Sequence, residues 1–96
     1  MSGMTIAEFQ RLIEAIYYKR DHARGVPGTF MWFTEEVGEL ARALKRGDRE
    51  NLAHEFADVF AWMATLASLS GIELSEAIAK YAKGCPRCRG TPCSCH

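Results

Sequence analysis

The sequence predicts an all-α fold: an antiparallel helical bundle with four helices per chain, completed by oligomerisation. Three observations predict it. Apolar residues recur at spacings of three and four over four separate stretches. No stretch alternates with the period of two that a half-buried strand requires. Each stretch is bounded by residues that start or stop helices.

The first helix is expected from residue 5 to about residue 22, with Ile6, Phe9, Ile13, Ile16 and Tyr17 on one stripe. Thr5 followed three residues later by Glu8 forms a capping-box pattern. Gly25-Val26-Pro27-Gly28 breaks the periodicity, and Thr29 is placed to cap a second helix that runs to about residue 46. Its stripe is Phe30, Phe33, Val37, Leu40 and Leu44. Lys45 and Arg46 suit a helix C-terminus and Gly47 can end it. Asp48 is a good N-cap for the third helix, which carries Leu52, Phe56, Val59, Met63 and Leu66 and stops at Gly71. A short fourth helix is expected over residues 73–83, ending at Gly84. The connections are short, so neighbouring helices should pack antiparallel.

Composition bounds the function. In a chain of 96 residues, 48% hydrophobic and 25% charged residues describe one small soluble domain. Twelve basic residues balance twelve acidic ones, which argues against a protein that coats nucleic acid or an anionic membrane. MSGMTIAEFQ lacks the basic-then-apolar pattern of a signal peptide. The apolar-rich stretch from Phe56 to Leu69 has 14 residues and contains Asp58, too short to span a bilayer. A cytoplasmic location is the expectation. All four cysteines fall in the last twelve residues, so the chain divides into a helical domain, residues 1–84, and a cysteine-rich tail, residues 85–96.

Of the 14 residues from Phe56 to Leu69, 11 are apolar, the exceptions being Asp58, Thr65 and Ser68. Four of the 11 are alanine, which inflates the count, but a helix apolar on nearly every side is buried on nearly every side. Three other short helices cannot easily surround it, so another subunit is expected to cover the remaining face.

The charge is uneven. Seven acids lie between Glu35 and Asp58 against four bases. The second helix carries Glu35-Glu36-x-x-Glu39 and the third carries Glu55-x-x-Asp58. Residues three apart share one face of a helix, so Glu36 and Glu39 form one pair, and Glu55 and Asp58 form another beside the apolar stripe. Two antiparallel helices can bring the four carboxylates together. Such a cluster repels itself, and a divalent cation resolves the conflict. All-oxygen donors suit Mg2+ or Mn2+, and neither pair has the histidine that a di-iron bundle wants. The plainer account is that helical acids form solvated faces or pair with bases. Arg42, three residues on, is such a partner for Glu39, whereas Glu55 and Asp58 have none within a turn.

EEVGEL, a short basic stretch and then EFADV resemble the EExxE and ExxD motifs of the MazG-like, all-α nucleotide pyrophosphohydrolases. GTFMW before them and GIEL after them add to a resemblance that covers residues 6–83. It implies Mg2+-dependent hydrolysis of a nucleoside triphosphate (NTP or dNTP) to monophosphate and pyrophosphate, in a dimer or dimer of dimers. Carried over by motif, Glu36, Glu39, Glu55 and Asp58 would hold the metal. Glu35 would support the catalytic set, holding a second metal or orienting the attacking water. Lys19, Arg20 and Arg24 could meet phosphates, or simply complement a helix C-terminus. Trp32, one turn before Glu36, and Trp62, one turn after Asp58, could stack on a base or simply fill core. No Walker P-loop is present.

In the tail, Cys85-x-x-Cys88 and Cys93-x-Cys95-His96 offer thiolates and an imidazole to a metal. Zn2+ held by Cys85, Cys88, Cys93 and Cys95, with His96 as an alternative ligand, is the expectation; free or redox-active thiols are the alternative. The competing account of the whole chain is a non-enzymatic helical interaction module with a zinc-binding tail. Such a module has no use for Glu55 and Asp58 beside a buried stripe.

Overall fold

The structure, a computed structural model, describes residues 3–96. Helix α1 (Ile6–Arg46) starts at the expected capping box. Thr5 Oγ1 accepts from the Glu8 N–H at 3.0 Å, and the Glu8 carboxylate accepts from the Thr5 N–H at 2.7 Å. It ends at Gly47, whose φ of 73° is the left-handed conformation and whose N–H donates to the Ala43 carbonyl. Asp48 then caps α2 (Arg49–Leu69), its carboxylate accepting from the Asn51 N–H at 3.3 Å.

The connection between the first two expected helices is different. Instead of a loop through residue 28, α1 is broken at a single residue, Gly25 (φ 75°, ψ 176°). Pro27 falls in the first turn of the following limb, where its missing N–H has no intrahelical acceptor to lose. Thr29 is therefore not a cap. It lies inside the helix, fully buried, and its hydroxyl accepts from Arg24 Nε at 3.0 Å.

Both limbs of α1 pack against α2, and the order of contacts shows the antiparallel arrangement. On the first limb, Gln10 meets Ser68, Asp21 meets Thr65 and Arg24 meets Trp62. On the second, Trp32 meets Trp62 and Glu36 meets Asp58 and Glu55. Two of the three polar exceptions within α2's apolar run, Thr65 and Ser68, thus have hydrogen-bond partners on α1. Thr65 donates to Asp21, and Ser68 donates to Glu14 Oε2 at 2.6 Å while accepting from Gln10. Buried Gln10 also donates to the Ile72 carbonyl and accepts from the Leu74 N–H, fixing the chain after α2.

The expected fourth helix is reduced to one turn, α3 (Leu74–Ala77), followed by a 3-10 turn, Ile78–Tyr81. Glu73 stands at its N-cap without a side-chain capping bond, because its carboxylate is taken by Arg11 at 2.7 Å. Because the expected first and second helices form one kinked helix, the described chain has three α-helices rather than four, and no strand.

The seam between α1 and α2 is small. Its buried apolar residues are Ile13, Ala43 and Ala64. Phe30, Val37 and Leu44, expected on a core-facing stripe, are exposed, as are Phe56, Phe60 and Met63 of α2. Two helices and a turn cannot cover both faces of either helix. No helix among the described residues is long and apolar enough to cross a membrane.

Candidate active site

Antiparallel packing brings the second limb of α1 alongside the first half of α2. One carboxylate oxygen each from Glu36, Glu55 and Asp58 lies within 4.8 Å of the others. Glu36 and Glu55 are half-buried, and Asp58 is exposed at the edge. Spacing on α2 explains the pair from that helix: residues three apart project from one face one turn apart.

Burial pushes the Glu36 carboxyl above its ordinary range, and the charges of Asp58, Glu55, Glu39 and Glu35 push it the same way. Glu55 Oε1 is buried with no hydrogen-bond partner. A buried carboxylate oxygen without a donor is costly. Together, an orphaned oxygen and three converging acids form a donor set that fits a hard divalent cation.

Glu39 stands one turn beyond Glu36 and outside this group of three, in an exposed pair with Arg42 at 2.7 Å. Glu35 is exposed on the neighbouring side of the helix. Both are near enough for their charges to act on Glu36.

Beside Asp58, a cavity of about 190 Å3 opens between the first limb of α1 and α2. Its wall includes Tyr17, Arg20, Asp21 and Arg24 from α1, with Asp58 and Trp62 from α2. Arg24 is fixed from three sides. Its Nη2 donates to Asp21 Oδ1 at 2.5 Å, its Nε donates to Thr29, and its guanidinium lies 4.7 Å from the Trp62 ring centre. Asp21, itself buried, also accepts from Thr65 at 3.2 Å. Gly28 makes room for this arrangement: a Cβ there would lie 2.7 Å from Arg24 Cγ. Trp32 stacks on Trp62 with ring centres 6.1 Å apart and planes 12° from parallel.

Of the residues expected to meet substrate, Arg20, Arg24 and Trp62 line the cavity, Trp32 backs Trp62, and Lys19 does not line it. Asp21, Thr65 and Tyr17 were not expected there. The available signals were the i, i+3 spacing of Asp21 and Arg24 and the lone Thr65 in an apolar run. Neither says that the two meet across 44 residues.

Comparison with known proteins gives two findings. The family described as "MazG nucleotide pyrophosphohydrolase domain" matches residues 27–88. A phosphoribosyl-ATP pyrophosphatase of Rhizobium rhizogenes is 26% identical over 91 residues, covering 86% of this chain and 88% of the relative.

Proposed function

This chain belongs to the MazG nucleotide pyrophosphohydrolase family, and from that premise we propose that it hydrolyses nucleoside triphosphates, NTP or dNTP, to monophosphate and pyrophosphate with Mg2+ or Mn2+. The observation that carries the metal-dependent part is the buried, unpartnered Glu55 Oε1 beside Glu36 and Asp58.

Glu36, Glu55 and Asp58 would hold the cation. Glu39 would join them on giving up Arg42, which costs little because an exposed ion pair is worth only about 0–1 kcal/mol. Glu35 would support the set from outside it, holding a second metal or accepting a hydrogen bond that orients the attacking water. A cation bound there supplies charge neutralisation on the phosphates and a lowered pKa for a coordinated water.

The chain's own residues do the positioning. Among the described residues Arg20 makes no ion pair, and it lines the same cavity as Asp58, so it is placed to receive a phosphate. Arg24 is committed to Asp21 and acts by holding the Trp62 ring in place. Tyr17 and Trp62 give the cavity flat apolar walls for a base. A cavity of about 190 Å3 takes one ring system rather than a whole nucleotide. The triphosphate then runs from the cavity past Arg20 toward the carboxylates.

A second copy of the chain covers the exposed apolar residues Phe56, Phe60, Met63, Phe30 and Leu44 and walls the site from bulk water. A homodimer or a dimer of dimers meets that need, and a cytoplasmic location fits the substrate.

A second substrate reading rests on the Rhizobium rhizogenes relative, whose name specifies phosphoribosyl-ATP and which aligns along most of this chain. One experiment tests both. Purified protein is incubated with canonical and modified triphosphates and with phosphoribosyl-ATP, plus Mg2+ or Mn2+, and products are separated by ion-exchange chromatography. Monophosphate and pyrophosphate in equal amounts from a triphosphate are expected. Turnover confined to phosphoribosyl-ATP selects the second reading. Release of single phosphates, or no metal-dependent turnover of any of these substrates, overturns both.

A further inference from the structure

The tail after Gly84 lies outside the carboxylate site and has its own geometry. Four sulfurs, of Cys85, Cys88, Cys93 and Cys95, all lie within 4.8 Å of one another. Three of the separations are 3.7 Å for Cys85–Cys95, 3.9 Å for Cys88–Cys93 and 3.6 Å for Cys93–Cys85. A tetrahedral tetrathiolate with Zn–S bonds of about 2.3 Å has sulfurs about 3.8 Å apart, the tetrahedron's edge being about 1.6 times its centre-to-corner length. Disulfide-bonded sulfurs lie about 2.05 Å apart, and all four cysteines here are free.

The backbone around the sulfurs is built for anionic thiolates. The N–H groups of Gly90 and Ser94 both point at Cys88 Sγ, at 3.4 and 3.3 Å, and the Cys95 N–H points at Cys93 Sγ at 3.3 Å. Such outer donors orient and stabilise metal ligands. Two glycines permit the tight wrapping. A Cβ on Gly84 would lie 2.7 Å from Thr91 Oγ1 and 2.9 Å from the Arg89 carbonyl oxygen; one on Gly90 would lie 2.7 Å from the Pro92 carbonyl oxygen. Within the tail only Cys85, Cys88 and Gly90 are even half-buried, so no apolar core holds it in this shape.

From these observations we infer that residues 85–96 form a structural zinc site, one ion per chain, held by Cys85, Cys88, Cys93 and Cys95 without His96. The imidazole of His96 is not among the clustered donors, and four thiolates already complete a closed structural site. The formal charge of about −2 on a zinc tetrathiolate is matched by Arg87 and Arg89, the two charged side chains within the tail apart from the histidine. The zinc replaces the missing core, and the site is independent of the hydrolytic carboxylates.

The test uses the full chain, produced in zinc-replete medium and purified under reducing conditions. Metal analysis by mass spectrometry should find one zinc per chain in the parent protein and in His96→Ala. The Cys88→Ser/Cys93→Ser double variant should contain none while keeping its helical circular dichroism. Replacement by Co2+ should give the intense visible bands of a tetrahedral thiolate site in the parent and not in the double variant. Absence of zinc from the parent overturns the inference, as does iron in its place or zinc retained by the double variant. Loss of zinc on His96→Ala overturns the assignment of the fourth ligand. None of these outcomes depends on whether the protein hydrolyses a nucleotide.

Discussion

Replacing Glu36 with Gln should stabilise the metal-free protein while destroying its function. The Glu36 carboxyl is raised in the folded chain, first by burial and then by Asp58, Glu55, Glu39 and Glu35. A carboxyl with a raised folded-state pKa binds its proton more tightly in the fold than in the unfolded chain. Its stabilising contribution is present below the ordinary carboxyl range and is lost as pH rises through the raised value. At neutral pH the ionised group therefore works against the metal-free fold. The size follows from the geometry. With donor oxygens within 4.8 Å, each pair of unit charges repels by about 0.9 kcal/mol in water and about 3.5 kcal/mol at an effective dielectric of 20. Asp58 is exposed and salt screens over about 8 Å, so the lower end applies. Deleting the two repulsions on Glu36 should gain about 1–2 kcal/mol, or about 5–10 °C in Tm for a domain of this size. The assay is differential scanning calorimetry at fixed protein concentration, in EDTA and in MgCl2. The parent should gain about 2.7 kcal/mol from Mg2+ at a hundred times its Kd, and Glu36→Gln should lose that gain along with pyrophosphate release. Lowering the pH toward the carboxyl range should raise the parent's Tm in EDTA relative to that of the variant. A variant that melts lower than the parent in EDTA at neutral pH, or that Mg2+ stabilises equally, refutes the placement of Glu36 in a repulsive metal-binding cluster.

Three further outcomes are expected. Gly25→Ala puts a side chain on a residue with φ of 75° and ψ of 176°, a conformation essentially reserved for glycine, at a cost of about 1–3 kcal/mol visible as a lower urea midpoint; no change in the midpoint would mean that the break between the limbs lies elsewhere. Arg42→Ala releases Glu39 from an exposed pair, so it should alter stability by less than about 1 kcal/mol yet lower the Mg2+ concentration for half-maximal turnover; an unchanged or higher Mg2+ requirement removes Glu39 from the ligand set. Phe56→Asp places a charge in the exposed apolar face of α2 and should lower the mass measured by light scattering together with activity, whereas an active, folded monomer of the parent chain would end the oligomer proposal.

How much was legible in the sequence depends on how far apart the interacting residues lie. The start of α1, its end at Gly47 and the start of α2 are each made by bonds between residues three or four apart, such as Thr5 with Glu8 and Asp48 with Asn51. Those positions follow from residue type and spacing alone. So does the pairing of Glu55 with Asp58 on one helical face. Other features needed the packed chain. Glu36 and Glu39 are equivalent by spacing, yet one faces α2's acids and the other pairs with Arg42, because the rotation of α1 against α2 decides which side points inward. The short fourth helix starts where its spacing puts it, but what ties that start down is Arg11, 62 residues away, bonded to the carboxylate of its N-cap residue Glu73. Asp21 reads as a surface acid of the first helix until Thr65 and Arg24 enclose it. A helix periodicity fixes which residues share a face; only the contact with a second helix fixes what that face meets, and that contact is set by side-chain volume and by the single bend at Gly25.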